Sequence, residues 1–140
     1  MAIKNIFADL EQKKAGIENL SIEALIDELK TKDDLLLVDL REIQERVDLG
    51  TIPGSTHVPR GMLEFWASPA SPYYRDYFQE DRRTVVFCAG GGRSVLAVLA
   101  LEEMGFTDVA LVEEGFRGWK EGGHEVEDVA STSRWVRRES

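Results

Sequence analysis

Cys88 is the only cysteine in a chain of 140 residues, so no internal disulfide can hold the fold and no second thiol in the same chain can resolve an oxidised sulfur. Histidine is almost as scarce. His57 and His124 lie far from each other and from Cys88 in sequence, which leaves no metal-ligand spacing. No apolar run approaches the ~20 residues that a membrane-spanning helix needs. Met1 to Leu10 lacks the basic start and apolar middle of a secretory leader, and the cytoplasm is the expected compartment. Positive charge is in deficit, with 17 Lys and Arg against 26 Asp and Glu and a formal net charge of −9. Nonspecific nucleic-acid binding is opposed by that balance, and the one basic cluster, Arg134, Arg137 and Arg138, sits in a short tail. There is no internal repeat or low-complexity tract.

What is present is enough for one core. Apolar residues make up 43% of the chain, and at this length a single domain is expected. Ile22, Leu25, Ile26 and Leu29 share one helical stripe behind a capping Ser21, which predicts a helix over about 22–30. Leu35 to Val38 reads as a strand buried on both faces, Arg41 to Asp48 as a short polar helix, and His57 to Pro59 as a brief strand. A helix then begins at Met62, Leu63, Phe65 and Trp66 and is interrupted by the segment Ser68 to Tyr74. Thr84 to Phe87 and Val109 to Val112 are further strands. The helix from Arg93 should stop at Gly105, and the one holding Phe116 and Trp119 at Gly122 and Gly123. The tail, residues 127–140, has no period and is expected to be loosely held. Strands alternating with helices imply a small three-layer α/β domain with a mainly parallel sheet and helices on both faces.

Cys88 follows directly on a strand and precedes a helix, the place where ligands bind in an open parallel sheet. The loop Cys88-Ala89-Gly90-Gly91-Gly92-Arg93 can form a nest: glycines at positive φ would let successive backbone N–H groups turn toward one point. The helix N-terminus and Arg93, the only charged side chain in the loop, would favour thiolate over thiol. An inert, buried core cysteine is the competing reading.

Four segments in order carry a family resemblance. Cys-Ala-Gly-Gly-Gly-Arg after Val85-Val86-Phe87 resembles the active-site loop of the rhodanese-like sulfurtransferases. Val38-Asp39-Leu40-Arg41-Glu42 with Glu45 is similar to their upstream Asp-x-Arg segment. Gly50 to Pro59 resembles their Gly-His-Ile-Pro-Gly-Ala signature, and Gly115-Phe116-Arg117-Gly118-Trp119 their closing glycine and tryptophan signature. The resemblance implies a rhodanese-like domain over 1–126 with its core at about 20–122. It also implies transfer of a sulfane sulfur, from a donor such as thiosulfate to cyanide or a thiol, through a persulfide on Cys88. Ala89, Gly90, Gly91, Gly92 and Arg93 would bind the substrate. No cofactor, nucleic acid or membrane is called for, and a protein could serve as sulfur acceptor. Two alternatives remain open. One is a non-catalytic rhodanese-like binding module, although such modules commonly lack the cysteine. The other is a cysteine-dependent phosphatase or arsenate reductase, whose cell-cycle type closes its loop as Cys-x5-Arg where this chain has Cys-x4-Arg.

Several neighbours have two readings each. Asp39 either orients the loop or pairs with backbone or an arginine. Arg41 and Glu45, four apart, are expected to pair as scaffold. His57 is a base or a structural residue. Arg60, Met62, Phe65 and Trp66 form a substrate wall or the buried face of an amphipathic helix. Tyr73, Tyr74 and Tyr77 pack down or line a pocket.

Overall fold

The structure is a computed structural model that describes residues 2–138. Its elements are α1 (Ile6–Lys14), β1 (Glu18–Leu20), α2 (Ile22–Thr31), β2 (Leu36–Asp39), α3 (Ile43–Leu49), β3 (Thr56–His57), α4 (Leu63–Ala67), β4 (Thr84–Phe87), α5 (Gly92–Met104), β5 (Val109–Val112) and α6 (Gly115–Glu121). Short 3-10 turns occupy Arg60–Met62 and Ala130–Thr132. The strands pair in the order β1-β5-β4-β2-β3, all parallel, so every carboxyl end meets at one sheet edge. Among the described residues no helix is long and apolar enough to cross a membrane.

Because side chains alternate along a strand, each central strand feeds two cores. Leu36, Val38, Val86, Cys88, Val109 and Leu111 face a layer built from Leu10 of α1, Leu63 of α4, and Val95 and Leu101 of α5. Leu37, Val85, Phe87, Ala110 and Val112 face Ile22 and Leu25 of α2 and Phe116 and Trp119 of α6. Local signals set the helix ends. Ser21 Oγ accepts from Ala24 N–H at 3.1 Å, and Gly105 ends α5 in the left-handed region at φ 111°, where a side chain would be strained.

Three expectations are corrected. The first twenty residues add α1 and β1, which lie outside the expected elements; Ile6 and Phe7 of α1 are exposed, and only Leu10 among its residues is buried, so the helix has no apolar stripe to read. Arg41 precedes the helix instead of opening it, and its side chain is fully buried. As far as residue 138, where the described residues end, the tail is docked, not loose. Glu127 exchanges two backbone hydrogen bonds with Thr51, at 2.9 and 3.0 Å, Val129 is buried, and Val136 O accepts from Gln44 Nε2. Asp48, on α3, takes Arg138 N–H at 2.7 Å and its guanidinium at 2.8 Å. These bonds, the backbone one foremost, hold the Asp48 carboxyl down at about 2.

The buried Asp39 at the end of β2 fixes this edge. Its carboxylate accepts from Arg41 N–H at 3.1 Å, Arg41 Nε at 3.0 Å, Arg41 Nη2 at 2.9 Å, Arg46 Nε at 3.0 Å and Thr51 Oγ1 at 2.7 Å. Arg41 Nη2 also donates to Gly50 O at 2.7 Å. One carboxylate thus ties together β2, α3 and the chain that leads to β3. Burial pushes the Asp39 carboxyl up, but hydrogen bonds and charge from Arg41, with the Thr51 hydroxyl, outweigh burial and leave it below the ordinary value.

A folded-state pKa below the unfolded one gives stability that is fully present above the unfolded value of about 3.9 and is lost as pH falls through the folded value. Urea unfolding from pH 7 downward should therefore show an acid-side loss of stability below about pH 4 that Asp39→Asn reduces. The same variant leaves two guanidinium groups on a neutral amide and should cost about 3–5 kcal/mol at pH 7; an Asp39→Asn chain as stable as the wild type would contradict this role.

Candidate active site

Asp39 pairs with Phe87 across β2 and β4 and with His57 across β2 and β3, which places Cys88 one residue beyond this line at the carboxyl edge. Cys88 is 1% exposed and belongs to the core that holds Leu10, Leu40, Val58, Leu63 and Val95. Its Sγ lies 3.7 Å from Ser94 Oγ, and that hydroxyl donates to Gly91 O at 3.1 Å. Ala89 to Arg93, by contrast, are half-buried. The structure therefore presents a buried sulfur beneath an accessible loop.

The cradle is shaped from outside. Phe116 N–H donates to Cys88 O at 2.8 Å and Arg117 N–H to Ala89 O at 3.0 Å. Among the described residues all peptide bonds are trans, and in a planar trans peptide the N–H points opposite to the C=O. Holding these two carbonyls against α6 therefore turns the N–H groups of Ala89 and Gly90 away from α6, to the other side of the loop. No acceptor among the described residues takes the N–H of Ala89, Gly90 or Gly91. Such free, fixed amides suit an anion, and the N-terminus of the 13-residue α5 adds its dipole.

The glycines work differently from the expectation. Gly90, Gly91 and Gly92 are not at positive φ. A Cβ there would make only ordinary contacts, with Arg117 Nη1 at 3.9 Å from Gly90, Lys14 Nζ at 3.7 Å from Gly91 and Leu10 Cδ1 at 3.8 Å from Gly92. The glycine that geometry requires is Gly115, at φ 61°, where a Cβ would stand 2.4 Å from Gly90 O and 2.7 Å from both Cys88 O and Ala89 O. Close approach of α6 to the loop depends on it.

Charge around the loop also departs from the sequence reading. Glu45 does not pair with Arg41; it grips Arg93 bidentately, at 2.7 and 3.0 Å, while accepting from Glu42 N–H at 2.8 Å. The Arg93 pKa is raised, first by these hydrogen bonds, and the Glu45 carboxyl is correspondingly lowered. Arg93 is thus half of a neutral pair. Arg117 and Lys14 approach from α6 and α1 instead, and among the described residues neither makes an ion pair. Lys14 was not singled out in the sequence, because α1 brings it in from a distant element; Ser94 directly follows the loop and Arg117 lies in the glycine and tryptophan segment, but neither was assigned a role there.

The other candidates are engaged in bonds or packing of their own. His57 Nε2 lies 2.7 Å from Arg41 O; a carbonyl only accepts, so Nε2 carries the proton and the ring is a strut. Burial pushes its pKa down. Arg60 is engaged by Glu64 at 2.7 Å on the next turn. Leu63 and Ala67 of α4 are buried while Phe65 is exposed, and Trp66 is half-buried with the Arg75 guanidinium 4.3 Å from its ring centre. Tyr74 and Tyr77 pack on the core and Tyr73 is exposed. No cluster of potential metal ligands exists among the described residues.

The chain is 29% identical to YrkF of Bacillus subtilis, which carries the name of a sulfur carrier protein, over 77% of this chain and 54% of that one. The chain thus spans about half the length of YrkF. It is 31% identical to YtwF of the same organism, named a sulfurtransferase, over 74% of this chain and 91% of that one. Among solved structures it superposes with a TM-score of 0.84 at 41% identity on a Rhodopseudomonas palustris protein of unknown function that is named a possible tyrosine phosphatase, covering 91% of this chain and 97% of the other. The model of the rhodanese-like domain matches residues 21–122, and the chain belongs to the rhodanese-like domain family.

Proposed function

We propose that this protein is a sulfurtransferase that carries a sulfane sulfur as a persulfide on Cys88. The observation that supports the reading best is the presence of one thiol before a loop whose free amides are turned away from α6, in a chain without a second cysteine. Dithiol chemistry needs a resolving thiol; sulfur relay to an outside acceptor does not. In the first step the Cys88 thiolate attacks the outer sulfur of a donor such as thiosulfate. A new S–S bond forms to Cys88, the donor's S–S bond breaks, and its electron pair leaves with sulfite. The amides of Ala89 to Arg93 stabilise the anionic charge in place, as oxyanion holes do. A thiol, protein-borne or small, or cyanide then takes the outer sulfur. The names of YrkF and YtwF are consistent with this chemistry.

The R. palustris neighbour brings a second reading, phosphoester hydrolysis. A phosphatase loop uses its arginine to hold the transferred group, whereas Arg93 is committed to Glu45, and four residues instead of five separate it from the cysteine. Sulfur transfer is the reading favoured here. Hydrolysis of p-nitrophenyl phosphate that depends on Cys88, without any sulfur adduct, would reverse the choice.

Incubation with thiosulfate, polysulfide or another sulfane donor should add one sulfur atom to the intact mass, removable by cyanide and absent in Cys88→Ser. No adduct with any donor would favour a binding module. The ion pair gives a second test. Arg93→Ala leaves Glu45 uncompensated beside the cradle and should slow loading by dianionic thiosulfate about three- to tenfold, whereas Glu45→Gln frees Arg93 and should speed it by a similar factor at low salt. The double variant should return close to the wild type. Equal rates in all four proteins would show that this pair does not govern donor binding.

A further inference from the structure

A cavity of about 200 Å³ lies beside the loop, lined by Ala89, Phe116, Arg117, Lys120, Glu121 and Arg41. Its floor is unusual. Arg41 is 0% exposed, and its Nε and Nη2 are consumed by Asp39 and Gly50, yet Nη1 is buried without a hydrogen-bond partner among the described residues. A guanidinium normally fills its donors when buried. The Phe116 ring centre stands 4.1 Å from Arg41 Cζ and that of Phe87 5.9 Å, so aromatic rings occupy its surroundings and Nη1 is the one guanidinium nitrogen left without a partner. Charge points the same way. Asp39 is shared by Arg41 and Arg46, which leaves this cluster net positive. Exposed Arg117 and Lys120 add two further cations that make no ion pair among the described residues, against the one carboxylate of Glu121.

We infer that this cavity seats the carboxylate of a short organic thiol that accepts the sulfur from Cys88, an inference that rests on the sulfur-transfer reading above. A carboxylate oxygen can accept a charge-assisted hydrogen bond from the one unused guanidinium nitrogen, Nη1, and the Phe116 wall suits a short methylene chain better than a bare oxyanion. The volume admits a small acid, not a peptide. Arg117 links the two places, because it lines the cavity and its Nη1 lies 3.9 Å from a Cβ built at Gly90. In the transfer the acceptor thiolate attacks the protonated outer sulfur of the Cys88 persulfide. The acceptor S–S bond forms, the bond to Cys88 breaks, and Cys88 leaves as thiolate while the proton stays with the transferred sulfur.

Two measurements separate failure of this inference from failure of the sulfur-transfer reading. Persulfide-loaded protein is discharged with 3-mercaptopropionate or with neutral 2-mercaptoethanol, and loss of the sulfur is followed by intact mass at equal thiolate concentration. The acid should react on the order of tenfold faster, and Lys120→Glu or Arg117→Met should reduce that ratio to about twofold or less. In parallel, 3-(methylthio)propionate, which has no thiol, is titrated into the Cys88→Ser protein. Saturable amide shifts at Ala89, Arg117 and Lys120 that Lys120→Glu abolishes are expected whether or not loading succeeds. Equal discharge rates, ratios unchanged in both variants, or no saturable shift at those amides would overturn the inference. Variants that weaken thiosulfate loading but keep the acceptor ratio would assign the cavity to the donor's sulfonate and overturn it as well. Saturable binding in a protein that never loads would support the cavity and reject the sulfur-transfer reading.

Discussion

The two hydrogen bonds from the start of α6 to the carbonyls of Cys88 and Ala89 are the constraint on which the site depends. A loop between a strand and a helix has many conformations, and conformational entropy favours all of them over one. By fixing two carbonyls on the outside, α6 fixes the direction of the next two amides through peptide planarity alone. The loop thereby gains its anion-facing side without glycines in the left-handed region. Gly115 makes the contact feasible, since any Cβ at that position would overlap three carbonyl oxygens. The glycine that matters for the cradle thus lies outside it, more than twenty residues along the chain.

Electrostatics on this edge is arranged in unequal pairs. Asp39 is fully bonded, Arg93 and Glu45 cancel, and the positive charge left over resides in Arg41, Arg117 and Lys14 around the loop. At the opposite end of the sheet Arg83 binds Glu18, Glu28 and Asp108, which leaves that end net negative. In a chain of formal charge −9, Arg117 and Lys14 are local cations beside the loop that make no ion pair among the described residues. Net charge alone would have suggested repulsion of anionic ligands, but the field at a site is set by nearby, partly desolvated groups.

Much of this was legible in the sequence, and the reasons for the rest are physical. Strands β4 and β5 were read correctly because continuous apolar runs between turn signals leave little alternative, and α2 and α5 because of a capping serine and a closing glycine. Membership of the family followed from four short segments in order. What was missed falls into one class: partners chosen by tertiary contact. Spacing of four suggested Arg41 with Glu45, yet Arg41 lies before the helix and turns back to Asp39, while Glu45 reaches Arg93 from another element. The tail and α1 carried no periodicity because each docks through few residues, Leu10 in one case and Val129 with the Arg138–Asp48 ion pair in the other.

The burial of Cys88 bears on which chemistry suits the loop. A sulfur exposed by 1% cannot readily meet a bulky ester, since the reacting atoms must come within about 3–3.5 Å of each other and in line. A terminal sulfur on a slim donor meets that demand with the least displacement of Leu40, Val58 and Leu63. In the proposed relay the outer sulfur, once attached, extends the Cys88 side chain by one bond. An acceptor then needs to reach only the loop, where Arg117 already stands. Burial, which in isolation suggests an inert core cysteine, here separates the steps of the proposed relay: a small donor reaches inward, and the carried sulfur is offered outward.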